Sequence, residues 1–290
     1  MNPIDTVQMV TGLTKRLALE LAVIAVALLQ LSIQSEAATV TPETLRAWNG
    51  YVQLSKSELA GDFCDGERFL LIKELPAGVT KVHSGQILAV KSPHGALVSV
   101  PSGLVHHWIG AVFIPGAQTL DVLTGLQDYD SYADVYKPAV IESRLLSHKG
   151  DEFTYKLKFE EKGFGIKAGL IGEFRSNYYR VDRLTGYSIT EAIKLEELDN
   201  SSGSEERSLP LSASHGYVER MFTIVRYQEA DGGVYLEVET LTLSRDVPAA
   251  MRWLVSPVIQ KFSRQVMVGT LEKLKTRVEQ DASFESASRR

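Results

Sequence analysis

Cysteine is nearly missing from this chain. Cys64 stands alone among 290 residues, so no internal disulfide is possible and stability must come from a packed core. A lone cysteine is more often a small buried hydrophobe than a nucleophile. Basic excess is missing as well. The 31 Lys and Arg are outnumbered by 36 Asp and Glu, a net charge of −5, and nothing advertises a nucleic-acid surface. No His-x-x-x-His or Cys-x-x-Cys spacing offers a metal site. No Gly-x-Ser-x-Gly elbow is present, and "GFGIKAG" lacks the lysine-serine or lysine-threonine pair of a phosphate loop. No apolar run approaches the ~20 residues of a membrane-spanning helix.

What is present suits a folded domain. Hydrophobic residues make up 44% of the chain, enough for a real core. At the start, Lys15-Arg16 precede "LAVIAVALL" (21–29), with Ser35 and Ala37 at the positions before a cleavage point. A basic stretch, a short apolar run and small residues predict an export signal over 1–37 and a periplasmic or secreted protein.

Residues 38–103 read as an N-terminal extension. "TPETLRAWNGYVQLSKSEL" (41–59) opens with Thr41 as cap and Pro42 at the first helical position. Thr44 stands where a capping box would have Glu or Gln, so the box is incomplete. Short strands are predicted at "RFLLI" (68–72), "QILAV" (86–90) and "ALVSV" (96–100).

From residue 104 the pattern becomes one unit. "LVHHWIGAVFI" (104–114) is a strand, apolar on both faces after His107. A one-sided sheet would alternate, so both faces must be covered, and residues 41–100 are expected to cover the second. His106 and His107 are neighbours in a strand, so their rings point to opposite faces and cannot easily share a metal. Two short helices follow, the second with Asp128 as its cap. Six strands with short turns then pair as an antiparallel meander. A long amphipathic helix closes the chain. Val255, Ile259, Phe262, Val266, Leu271, Leu274 and Val278 are read as its apolar face. Gly269 within it suggests close packing, and a frayed tail is expected over 281–290.

The fold class is therefore α+β. A bent antiparallel sheet has one long helix to cover it, which leaves room for a cavity between them. The order of elements, "FIPG" (113–116), "LQDYDSYADVYKPAVIESRLL" (126–146), "GGVYLEVETLTLSRDVP" (232–248) and "TLEKLK" (270–275) resemble the START-like, or SRPBCC, helix-grip superfamily. Pro115, Leu126, Asp128, Tyr129, Tyr132, Pro138, Val140 and Ser143 carry the resemblance. It spans 104–280, and "HHWIG" and "LSRDVP" are similar to exported bacterial members. The resemblance implies a hydrophobic cavity for a lipid or other apolar small molecule. It implies no shared catalytic set, so no catalytic residue, metal or cofactor is expected.

Among polar residues, Glu219, Arg226, Glu237 and Glu239 sit on the last two strands amid apolar neighbours. They are either cross-strand pairs on a solvent face or groups that orient a ligand's polar end. Alternation alone does not say which face lines the cavity. Glu239, being mid-strand, is the preferred ligand contact, with Tyr155 and Tyr179 as hydroxyl donors and Phe262 and Val266 as apolar contacts from the helix. The main expectation is an exported carrier or binding protein for a hydrophobic molecule, with peripheral membrane contact as an option. A cyclase- or dehydratase-type enzyme using pocket carboxylates and tyrosines, or an envelope interaction protein without a ligand, are the alternatives.

Overall fold

The structure is a computed structural model that describes residues 40–64, 69–163, 166–199, 207–209, 214, 218–246 and 249–288. The expected export signal lies outside the described residues, as do the side chains of 62–64, 161–163, 166–168, 199, 207, 249–259, 262 and 282–288.

Helix α1 (Pro42–Cys64) begins at Thr41. Thr44 N–H donates to Thr41 Oγ1 and Thr41 N–H donates to Thr44 Oγ1, both at 3.2 Å. The reciprocal box is therefore complete with threonine in the glutamate's place. The strand predicted at 68–72 is instead a 3-10 turn, Leu71–Glu74. Phe69, Leu70 and Ile72 are all buried there, without the alternation of a half-buried strand. Helix α2 (Gly78–His83) follows. Then come β1 (Leu88–Lys91), β2 (Leu97–Val100) and β3 (Gly103–Pro115).

Helix α3 (Thr119–Gln127) is held by a box between Gln118 and Asp121. A 3-10 turn at Tyr129–Ser131 leads into α4 (Tyr132–Val135). Asp128 caps neither; its carboxylate takes Arg277 at 3.1 Å and so ties this turn to the last helix. The meander is β4 (Val140–Lys149), β5 (Glu152–Gly163), β6 (Ile166–Arg180) and β7 (Thr185–Asp199), with the short β8 (Arg207–Ser208) beside β7. Then come β9 (Arg220–Ala230), β10 (Gly233–Arg245) and α5 (Ala249–Ser288). Helix α5 continues through Ser288, into the stretch expected to fray.

The strands form one open antiparallel sheet in the order β1-β3-β10-β9-β7-β6-β5-β4. Its inner face carries Trp108, Val112, Leu236, Val225 and Phe174, packed with Met267, Leu271, Leu274 and Val278 of α5. This is the helix-grip arrangement. Gly110 makes the contact possible: a Cβ there would stand 2.5 Å from Met267 Sδ and 2.7 Å from Leu271 Cδ1. Gly269 does not mark such a contact, for a Cβ there would meet nothing within 4 Å.

The outer face is covered by the N-terminal extension. Trp48, Val52 and Leu59 of α1 pack on Val105, Phe222, Ile224, Leu241 and Leu243. Phe69, Leu70, Ile72 and Val82 pack on Ala111, Phe113 and Tyr235. A strand with two apolar faces thus has two covers, each burying its own hydrophobic set.

Candidate functional site

The two histidines of β3 part as strand geometry requires. His106 points to the inner side, bonded through Nε2 to Ser244 Oγ at 2.8 Å. Burial pushes its pKa down to about 4, so it is neutral near pH 7. His107 points outward beneath α1. Its Nε2 lies 2.9 Å from Glu239 Oε1, and its Nδ1 lies 3.0 Å from the Tyr51 hydroxyl. With Glu239 ionised, Nε2–H donates and Nδ1 accepts from Tyr51.

Glu239 therefore faces away from α5, contrary to the cavity position expected for it. Residues 235, 237, 239, 241 and 243 share the outer face because Tyr235, Leu241 and Leu243 pack there. Around it lies a buried charge cluster. Arg226 Nη1 is 2.8 Å from Glu239 Oε2 and 3.3 Å from Glu237 Oε1, with all three side chains at most 2% exposed. Arg226 and Glu237 are directly opposed across β9 and β10. They are the cross-strand pair that the sequence allowed, but under a cover rather than in solvent. Glu237 also accepts N–H bonds from Leu71 (3.2 Å) and Ile72 (2.9 Å), which anchors the 3-10 turn.

Burial pushes Glu237 up to about 7, against the pull of Arg226 and the two N–H donors. Burial also works to raise Glu239, yet the His107 hydrogen bond and the Arg226 charge together hold it below the ordinary carboxylate value. Tyr51 is pushed up to about 12, first by burial and then by Glu58 and Glu239. Its hydroxyl is thus a donor, not a phenolate nucleophile. The cluster is built to hold α1 and the 3-10 turn on the sheet. The second buried pair, Arg245 Nε to Glu219 Oε1 at 2.7 Å, joins the end of β10 to the start of β9.

The inner wall is aromatic and lightly polar. Tyr155 stacks on Tyr129 with centroids 3.8 Å apart, and Tyr129 and Tyr178 share a hydroxyl bond at 2.7 Å. Ser176 bonds Thr190 at 2.5 Å. Burial raises the Tyr155 and Tyr178 hydroxyls well above the ordinary value, so both stay neutral; Tyr178 donates to the Leu126 carbonyl at 3.0 Å, and Tyr155 accepts from Ser176 Oγ at 3.3 Å. On this wall the exception is the Trp108 indole; elsewhere among the described residues Ser55 Oγ and Arg226 Nε are also buried without a hydrogen-bond partner. Trp108 is 5% exposed, and its Nε1 has no acceptor among the described residues.

Of the expected ligand contacts, Tyr155 is buried on the inner wall. Tyr179 is on the outer face, 42% exposed and stacked on Tyr187 at 4.7 Å, because Tyr178 takes the inner position. Val266 is 40% exposed. Met267, Leu271, Leu274 and Val278 keep a strict 4-3-4 spacing and set the buried face, whereas Val266 to Leu271 is a step of five that slips off it. The side chain of Phe262 lies outside the described residues. The expected residues are thus not gathered at one site.

Sequence reading also missed a cavity of about 370 Å³ where β7 and β9 part, lined by Trp48, Val52, Lys56, Glu191, Arg220 and Met221 among others. Lys56 Nζ pairs with Glu191 Oε1 at 2.7 Å and lies 5.2 Å from the Phe222 ring centroid. No local motif marks these residues, since the cavity arises from where two strands diverge.

No protein-family profile and no curated protein matches the sequence. Some solved structures are similar to parts of the chain. A protein of Thermus thermophilus is 13% identical, covering 59% of this chain and 96% of its own, with a TM-score of 0.42. A STAR-related lipid transfer protein of Xanthomonas axonopodis is 18% identical, covering 63% of this chain and 97% of its own, with a TM-score of 0.43. The two-domain aromatase/cyclase StfQ of the steffimycin pathway is 13% identical over 62% of this chain and 52% of its own, with a TM-score of 0.43. Likeness at this level carries no argument about this chain.

Proposed function

We propose that this protein binds an apolar small molecule or lipid between the inner face of the sheet and α5. The observation that carries the reading is Trp108. A buried indole N–H without an acceptor costs about 1–3 kcal/mol; the wall it belongs to is largely apolar, and the Tyr129–Tyr178 and Ser176–Thr190 hydroxyls on it are already bonded to one another. A guest with an apolar body and one carbonyl, hydroxyl or carboxylate oxygen removes that cost while burying its own surface. Residues 1–37, with their basic pair and short apolar run, support an exported carrier.

The enzyme alternative has less behind it. It needs carboxylates facing the guest, whereas Glu237 and Glu239 lie on the outer face, and the inner tyrosines are held protonated. Native mass spectrometry of the gently purified protein tests the binding reading. The expected result is a one-to-one adduct that organic extraction releases as an apolar molecule, and that Trp108→Phe retains less well. Protein of bare polypeptide mass, with an empty extract and no uptake of any apolar probe, refutes it.

A further inference from the structure

Among the described residues the sheet parts between β7 and β9. β7 pairs with β9 only from Thr185 to Glu191, and the last rung is Glu191 against Phe222. Beyond it β7 runs on to Asp199, and among the described residues its free edge meets β8 at Leu198 and Asp199 and the Leu209 N–H at the Glu197 carbonyl, 2.7 Å away. Ile193 is the residue skipped in the β6–β7 register, between the rungs Phe174–Ala192 and Glu173–Lys194. Such a bulge bends a strand, and bulges gather beside functional sites; β6–β7 pairing resumes after it at Glu173–Lys194. Here the bend falls two residues past the last β7–β9 rung, where the strands part.

The gap holds the 370 Å³ cavity, within the usual range for small-molecule sites. Its walls come from both sides of the sheet. Trp48, Val52 and Phe222 belong to the outer apolar cluster, whereas Ala192 and Met221 pack against the inner core. Its rim carries two cations, Lys56 and Arg220, against one carboxylate, Glu191. Lys56 is paired with Glu191. Arg220 is exposed and donates only to the Glu219 carbonyl, with no carboxylate partner among the described residues. The rim is therefore locally positive on a chain of net charge −5.

We propose that this gap is the mouth of the ligand site and that it selects a single-chain amphiphile with an anionic oxygen head. The head lies against Arg220 and Lys56, where charge-assisted hydrogen bonds are strong. The chain passes over Met221 and Ala192 toward the inner wall. The inference rests on the reading that the inner side holds an apolar guest.

Fluorescence titration of the full chain with cis-parinaric acid and with its methyl ester tests it. Wild-type protein is expected to hold the acid at least about tenfold more tightly than the ester, the usual scale for one charge-assisted contact. Arg220→Glu, an exposed substitution, is expected to abolish that preference while leaving the ester's affinity unchanged. Ala192→Phe narrows the gap and is expected to slow uptake of both probes; if that variant does not fold, Arg220→Glu decides alone. Displacement by lysophosphatidic acid or by a long-chain fatty acid supports the proposal, and the stronger competitor identifies phosphate or carboxylate as the head. Equal affinity for acid and ester, or a preference that survives Arg220→Glu, overturns the mouth while leaving an apolar guest intact. Binding of neither probe overturns both.

Discussion

The two faces of the sheet are held in opposite ways. The inner face meets α5 through dispersion and apolar burial, as where Met267 and Leu271 close over Gly110. Its polar groups are mostly neutral hydroxyls bonded pairwise. The outer face adds four directed groups to its apolar contacts: Arg226, Glu237, Glu239 and His107. Apolar contact is non-directional and can be exchanged for similar surface. Buried charge cannot be exchanged, because each ion needs its partner. The difference separates the two covers: the outer one is fixed in register by paired charge, and the inner one is held by contact that similar apolar surface can replace.

Arg226→Met breaks the comparison most severely. It strands two carboxylates under α1 and the 3-10 turn, and loss of one partner from a buried ion cluster costs about 3–5 kcal/mol. Urea denaturation is expected to show a loss of that size. Changing Arg226, Glu237 and Glu239 together to Met, Leu and Leu gives the outer face the chemistry of the inner one. Most of the loss should return, short of the cost of leaving the Leu71 and Ile72 N–H groups and the His107 Nε2–H without an acceptor. A triple variant as unstable as the single one contradicts this account of the outer face.

The pH dependence sharpens the same contrast. Glu237 has a folded pKa near 7, above its ordinary 4.5, so between those values the folded state binds the extra proton. Its contribution to stability is full below about 4.5 and is lost as the pH rises through about 7. Glu239 is shifted the other way, so its contribution is present above the ordinary carboxylate pKa and is lost on acidification. The urea midpoint of Glu237→Gln, followed from pH 5 to 8, should decline less than that of the wild type. An unchanged slope would mean that Glu237 is ionised across this range and that Arg226 outweighs burial.

The sequence made part of this legible. Alternation on β3 required two covers, and strand parity put His106 and His107 on opposite faces. Parity fixes which residues share a face but not which partner covers it, so Glu239, preferred as a ligand contact, lies under the outer cover instead. The cover over Glu239 begins some 170 residues away along the chain, and no local pattern announces that Leu71 and Ile72 will donate to Glu237. "RFLLI" had strand composition, but its N–H groups went to that carboxylate rather than to a neighbouring strand. The mouth between β7 and β9 depends on a one-residue register shift at Ile193, which only the pairing of three strands reveals.

The smallest expected effect separates the two glycines at the inner contact. Gly110 lies beneath α5, and any Cβ there drives into Met267 and Leu271. Gly269 is on α5 itself, two residues from each of those side chains in sequence, yet a Cβ there meets nothing within 4 Å. Glycine within a helix costs about 1 kcal/mol relative to alanine through backbone freedom in the unfolded chain. Gly269→Ala should therefore raise stability by roughly that amount in urea denaturation, without altering uptake of an apolar probe. Gly110→Ala should lower stability, because Met267 and Leu271 must both move and a packed helix contact does not yield freely. If Gly269→Ala were instead destabilising, α5 would have to pack on a face other than Met267, Leu271, Leu274 and Val278, and the inner face would lose the cover that separates it from the outer one.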